Sequence, residues 1–500
     1  MEASEEAVKA ITMKLMAVAG GGIAALLVLS IPSPAPHVSA AADNRSFTWN
    51  QDALWHSLES QYVRARQAGC RDAGAVDRRL RRLDVTIRTL GTATVAPESP
   101  ALDSLEFDFF QLAPTVAACP GLNNVSVVAY VRRYEAMREV IKQWSRHWDM
   151  TATATRRRLY RALYGGRAAV EEVMLQHPDT QLALLTGPNE PAATPAAVVH
   201  GVIIHSGDIL VSRGGYPTSA LIARGNDYPG NFSHVGLVHV DSVTHAVSVI
   251  EAHIERGVAI TTADGYLADK KLRIMVLRPR ADLPQLVADP LLPHRAATAA
   301  LERARREHIP YDFTMDYRDP SQLFCSEVAS WVYHDRGLDL WMGISTISKA
   351  GLRRWLASFG VRHFETQEPS DLEYDPQLVV VAEWRDAQSL FQDHIDNAVI
   401  DAMLEGAERG DRLAFPWYGL APVRLAKAYS WVRERFGGIG PVPEGMGAAA
   451  ALRNKAFSTR QRALATRVAA RAAAIAHEKG YPPPYWTLLD LARHELARRQ

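Results

Sequence analysis

Three residues of this chain have the types and settings of a thiol nucleophile system. Cys325 lies in Leu323-Phe324-Cys325-Ser326-Glu327-Val328-Ala329-Ser330-Trp331-Val332-Tyr333, which reads as the start of an apolar helix. A thiol there feels the positive end of the helix dipole, which favours thiolate; a catalytic role predicts a lowered Cys325 pKa and rapid alkylation near neutral pH, and a non-catalytic scaffold predicts slow alkylation. His234 opens a strand-like run, Ser233-His234-Val235-Gly236-Leu237-Val238, and Glu251 lies in a second, Val247-Ser248-Val249-Ile250-Glu251-Ala252. Alternation puts His234 on one face with Gly236 and Val238, and Glu251 on one face with Val247 and Val249. A carboxylate in an apolar row needs a partner. An imidazole would supply one and would have its tautomer fixed, leaving the other ring nitrogen for the thiol. Nucleophile, base and orienting carboxylate are the parts of thiol acyl transfer. The chain has neither a His-Glu-x-x-His nor a Cys-x-x-Cys spacing. A zinc site built from the same three residues is therefore a poor alternative, and no metal or cofactor is expected.

The elements that must position these residues follow from hydrophobic period. Residues 43–187 read as a helical region, with Trp55, Leu58, Tyr62, Leu80, Leu83 and Ile87 at helical spacing and Trp144 and Trp148 as core residues. A Pro/Ala-rich stretch at 188–199 reads as a linker. Residues 200–385 change texture: Gly207-Asp208-Ile209-Leu210-Val211 opens a β region, strands are expected at about 234–240, 246–254, 257–262 and 272–278, then a helix at about 289–307, the Cys325 helix, and a closing strand at 376–384. Asp208 is read as a turn residue, and Tyr311 and Asp312 as packing and turn residues beside the cleft. The Gly- and aromatic-rich stretch between Arg213 and Phe232 is read as a mobile lid, a substrate-contact loop or an ordinary surface loop. Residues 386–500 are helical again, ending in an apolar stripe opposite Arg460, Arg462, Arg467 and Arg471.

The order of these segments resembles a known family. Gly207-Asp208-Ile209-Leu210-Val211, Ser233-His234-Val235-Gly236, Ile250-Glu251-Ala252, Tyr311-Asp312-Phe313, Phe324-Cys325-Ser326-Glu327 and Pro369-Ser370-Asp371-Leu372 look like the permuted papain-like amidases of the YiiX/YaeF type, within the NlpC-like superfamily. The cysteine follows the histidine, the reverse of ordinary papain order. The resemblance covers about residues 200–385. It implies an α+β fold: a permuted papain-like (NlpC-type) core with a small antiparallel sheet or barrel, flanked by helical N- and C-terminal regions. It further implies Cys325 as nucleophile, His234 as base and later acid, and Glu251 as orienting group.

Compartment and partners are read from the ends and the composition. Lys14, the apolar run Leu15–Ile31 and the small-residue exit Val38-Ser39-Ala40-Ala41-Ala42 describe a secretory signal peptide over residues 1–42, or an N-terminal anchor if uncleaved. Export to the periplasm or cell envelope is expected. Three cysteines fit that compartment, as a Cys70–Cys119 disulfide with Cys325 left over. A net charge of +1 gives no global field for nucleic acid. The expected function is a cysteine amidase or peptidase acting on cell-wall peptides or another small peptide-like substrate. A lipid esterase or acyltransferase with the same site, and a non-catalytic scaffold, are the alternatives. The basic C-terminal helix is a further candidate for contact with the envelope surface.

Overall fold

A computed structural model describes residues 14, 21–22, 24–32, 53–69, 73–119, 124–180, 183–340, 345–385 and 387–498. The expected cleavage sites after Ala40 or Ala42, and Cys70, lie outside these residues. Cys119 is disulfide-bonded and Cys325 is free.

Residues 53–176 form a packed set of helices: α1 (Ala53–Ala68), α2 (Ala73–Leu90), α3 (Pro100–Ala118), α4 (Asn124–Ser145) and α5 (Thr153–Gln176). Ser99 caps α3 by accepting from the Ala101 N–H, with Pro100 at the first helical position, where its missing N–H costs nothing. Apolar residues at helical spacing close one core, in which Phe109 stacks on Tyr130. Trp144 and Trp148 are buried there with their indole N–H groups on the Leu90 and Val95 carbonyls.

The middle of the chain is built on strands β1 (Leu184–Thr186), β2 (Ala196–Val199), β3 (Val202–His205) and β4 (Ile209–Gly214), helix α6 (Pro217–Arg224), strands β5 (His234–Val240), β6 (Val247–His253) and β7 (Gly257–Thr262), helix α7 (Ala263–Ala268) and strand β8 (Lys271–Pro279). It continues through α8 (Pro284–Ala288), α9 (Leu292–Arg306), α10 (Glu327–His334), β9 (Ser345–Thr346), α11 (Ala350–Phe359), β10 (Glu365–Thr366), α12 (Asp371–Tyr374) and β11 (Leu378–Arg385). Seven strands form one sheet in the order β1-β11-β8-β4-β5-β6-β7, antiparallel at every pair. It is an open sheet, so of the two expected forms the sheet is found. One face, carrying Val211, Val235, Leu237, Ile250 and Met275, is covered by α9 and α10. The other carries Leu210, Val238, Val249 and Val276 and meets the β2–β3 hairpin and Tyr266.

The linker expected at 188–199 is not a break in the structure. Strand β1, from the helical side of it, adds to the sheet edge beside β11. Gly187 donates to the Val381 carbonyl, Arg278 donates to the Glu190 carbonyl, and β2 pairs with β3. Its Pro and Ala content reflects an extended chain laid on the sheet. The stretch between Arg213 and Phe232 is likewise pinned: Asp227 accepts from Thr346 and Ser348, and Arg224 is paired with Asp401.

The last quarter consists of α13 (Ala387–Glu408), α14 (Leu420–Glu434), α15 (Ala448–Lys479) and α16 (Tyr485–Ala497), with a third core between α13, α15, α16 and α11. A buried ionic network joins this region, the sheet and the first helices. Arg167 of α5 meets Glu373 of α12 and Glu383 of β11. Arg273 of β8 meets Glu171 of α5 and Asp393 of α13 at 2.5 Å each, and Arg213 of β4 meets the same Asp393 at 3.1 Å. Fully buried charges persist only when paired and hydrogen-bonded, so the network locks the three parts at one relative position. Of the four C-terminal arginines expected on a basic face, Arg460 pairs with Asp411, and Arg467 and Arg471 with Glu495.

Candidate active site

Register explains why His234 and Glu251 meet. Gly236 of β5 lies directly opposite Glu251 of β6, so both point to the same sheet face. His234, two residues before Gly236, is then diagonal to Glu251 and within reach of a long side chain. The His234 Nε2 to Glu251 Oε2 distance is 2.6 Å. The same alternation brings in His253, two residues after Glu251, whose Nε2 is 3.1 Å from Glu251 Oε1. Thr261 of β7 donates to that same oxygen at 2.9 Å. Glu251 therefore has three side-chain partners, two of them, His253 and Thr261, not anticipated from the sequence. The signal for His253 was present as the i, i+2 spacing in Glu251-Ala252-His253.

Burial opposes ionisation of Glu251, but hydrogen bonds from His234 and His253 more than offset it and hold the carboxyl well below the usual range. Burial lowers the basicity of His234, and the bond to Glu251 pulls the other way. A carboxylate acceptor assigns the proton to Nε2 and leaves the lone pair on Nδ1.

Gly236 is required by packing rather than by a need for open space. A Cβ there would stand 2.6 Å from the Val249 side chain and 3.4 Å from the Tyr266 ring. Tyr266 is buried and donates to Ser212 at 2.9 Å, which floors the site beneath the imidazole.

Cys325 arrives from the opposite face. Helix α10 packs in the core under the sheet, and its preceding turn emerges at the open end of β5. The thiol donates to the Ser233 carbonyl, the residue before His234, at 3.7 Å. Two devices fix this turn. Glu327 accepts from the Phe324 N–H at 2.8 Å while its own N–H donates to the Phe324 carbonyl, a reciprocal cap. Ser370 both donates to the Phe232 carbonyl and accepts from the Phe232 N–H, each at 3.0 Å, and so holds the approach to His234. Asp312 accepts from Thr314 and Asp316 and shapes the loop before the cysteine, as expected. Asp208 accepts from the His205 N–H and pairs with Arg278, also a turn role.

The resting thiol is not the thiolate that the helix dipole led one to expect. Burial pushes it up to about 12 and nearby Glu368 adds to the rise, while Ser326 and the Val235 N–H oppose it. The physical reason is position: α10 begins at Glu327, so Cys325 precedes the helix and is sealed at 4% exposure. Burial likewise raises the Glu368 carboxyl, with Asp371 adding to the effect.

Cys325, His234, Glu251 and His253 line one cleft of about 980 Å³. Its far wall is α15, outside the segment that resembles a known family: Asn454, Lys455, Ser458, Thr459 and Arg462 face it at helical spacing. Beside Cys325 a second, apolar pocket of about 120 Å³ runs between Phe313, Met315, Leu356, Phe359 and Val361. Among the described residues no group of three or more His, Cys, Asp or Glu side chains is arranged to hold a metal ion.

Residues 203–382 match the family described as permuted papain-like amidase enzyme, YaeF/YiiX, C92 family. No curated protein and no solved structure matches the chain at a significant level. The matched segment contains Cys325, His234 and Glu251 and is a papain-like cysteine amidase or peptidase domain of the permuted type. The helical regions on either side lie outside the match.

Proposed function

We propose that this chain is an exported cysteine hydrolase of amide bonds in peptide-like substrates, with Cys325 as nucleophile, His234 as base and then acid, and Glu251 as the group that orients His234. The observation that carries the reading is the clamp on the imidazole: Glu251 engages Nε2 at 2.6 Å, leaving Nδ1 as the available base in the cleft that Cys325 shares. In the first half-reaction the sulfur attacks the substrate carbonyl carbon as its proton passes to Nδ1. Because the resting thiol is protonated, this transfer accompanies attack and does not precede it. The tetrahedral intermediate collapses with loss of the amine, which takes the proton from His234, and leaves an acyl thioester on Cys325. In the second half water adds to the thioester, giving its proton to His234. Release of the carboxylic acid returns that proton to the thiol. Glu251 stabilises the imidazolium formed at each stage, and the Ser326 N–H beside the sulfur is the candidate oxyanion donor.

Cell-wall peptides are the substrate class favoured by the leader-like N-terminus. An ester or acyl-transfer reading is favoured by one observation, the apolar pocket beside Cys325, which suits an acyl chain. The two separate in one assay, in which the full chain is offered wall-derived peptides and medium-chain p-nitrophenyl esters, with Cys325→Ala as control. Amine release from peptides that Cys325→Ala lacks supports the amidase. Ester turnover alone supports the second reading. Neither activity, with protein that melts normally, would contradict both.

A further inference from the structure

The exposed face of α14 is apolar, which is the reverse of what a helix at a water surface requires. Leu425, Tyr429 and Val432 follow one another on α14 at steps of four and three and form a stripe, with Tyr418 in the turn before the helix and Phe436 in the turn after it. Tyr418, Leu425, Tyr429, Val432 and Phe436 are 68, 60, 54, 47 and 87% exposed, and Trp431 beside them is 59% exposed. The inward face is carried instead by Leu420, Ala421 and Ser430. Single exposed apolar residues are ordinary, but a contiguous aromatic stripe marks an interaction surface.

We infer that this stripe docks α14 on an anionic lipid bilayer, lying in the headgroup plane. Composition and neighbours select that partner. Tyr and Trp rings prefer the headgroup level, where one end is apolar and the other wet. Cations stand among them: Arg433 over the Tyr429 ring at 6.0 Å and Arg435 over the Trp431 ring at 5.2 Å. Among the described residues neither arginine is paired with a carboxylate, so both are available to lipid phosphate. The second observation, which applies to the chain that keeps its N-terminal apolar segment as an anchor, is continuity with that segment. Arg424 of α14 donates to the carbonyls of Leu29 at 2.7 Å and Ile31 at 2.8 Å. Leu26, Leu27, Val28 and Ile31 of that segment are themselves more than half exposed. Two exposed apolar surfaces thus adjoin at one basic residue. Among the described residues no helix is long and apolar enough to cross a membrane.

The placement bears on the cleft. On its protein side α14 places Val423 and Ala426 against the apolar cluster of Val442, Met446 and Ala450, which Phe313 also joins; Met446 and Phe313 line the pocket beside Cys325.

The test uses the full chain with Phe436→Cys carrying an environment-sensitive fluorophore, and Glu302→Cys on the exposed side of α9 as its control. On phosphatidylglycerol-containing vesicles, emission at position 436 is expected to rise and shift to the blue while position 302 stays as in water. The shift should weaken as salt is added. A bound chain whose position 436 stays as wet as position 302 would overturn the inference, as would failure to bind vesicles. A shift that needs no vesicles and tracks a doubling of mass would replace the bilayer with a second copy. The variant Tyr429→Ser/Val432→Ser/Phe436→Ser should melt normally and bind vesicles at least about tenfold more weakly, the loss of burying one large apolar side chain; unchanged affinity would also overturn it.

Discussion

The molecule holds two buried charge constellations, and they differ in what is left over. Around Arg167 and Arg273, permanent cations meet Glu171, Glu373, Glu383 and Asp393 deep between the sheet and both helical regions. Around Glu251, the partners are titratable imidazoles, and the cluster opens on a cleft. The first uses its charges on one another, and its guanidiniums stay charged at any ordinary pH; its imidazole, His394, is bonded to Glu171. The second leaves His234 Nδ1 in a cleft that Cys325 also lines. Buried charge alone does not mark a site; unused proton-transfer capacity facing solvent-accessible space does.

Removing one member of each cluster should give opposite signatures. Arg167→Met leaves the buried Glu373 carboxylate without its ion-pair partner, while Glu171 and Glu383 keep Arg273 and Arg385; it should cost about 3–5 kcal/mol in urea unfolding, while the fraction that remains folded keeps its kcat. A loss under about 1 kcal/mol would mean that the network does not lock the parts together. His234→Ala should do the reverse, lowering kcat/KM by roughly a hundredfold or more with little change in melting. Loss of the fold with that substitution would make His234 a structural residue.

Glu327 sharpens the comparison through pH. Burial raises its carboxyl to about 9, with Asp312, Asp316 and Asp319 adding to the rise. The folded protein thus holds a proton that the unfolded chain releases near 4.5. Stability from this group is full below the unfolded value and declines as pH rises towards about 9. Glu327→Gln should flatten that part of the stability profile, as seen in melts across the range; an unchanged slope would place the proton elsewhere. Glu251 has the opposite sign: its depressed folded pKa gives stability present above about 4.5, lost as pH falls further. The smallest effect is expected from Thr261→Val, which removes one of three partners of Glu251. A loss of about tenfold in kcat is expected, at the low end for a hydrogen bond to a charged group, whereas a collapse to the level of His234→Ala would make Thr261 an essential part of the site.

How much of this was legible depended on distance along the chain. Strands β5, β6 and β7 fall within a residue of expectation because a period of two is written in consecutive residues. Given those strands, the meeting of His234 and Glu251 needs only the register of one hairpin. Arg167, by contrast, is 206 residues from Glu373 and 216 from Glu383. In sequence it is one more arginine on a helix, and nothing local marks it as buried. The cleft wall from α15 was hidden for the same reason: its face is set by packing on α6 and α13. The state of the thiol was misread because the helix starts two residues after Cys325, and burial then outweighs the dipole.

The central claim is that Cys325 attacks an acyl group with His234 as its base. It is tested most directly by intact-mass spectrometry after mixing the full chain with an activated acyl ester at neutral pH. One acyl adduct should form on Cys325, at least about a hundredfold more slowly in His234→Ala. Iodoacetamide, which needs a free thiolate, should label the same residue only slowly. Acylation at equal rates in both proteins, or at another residue, would contradict the account.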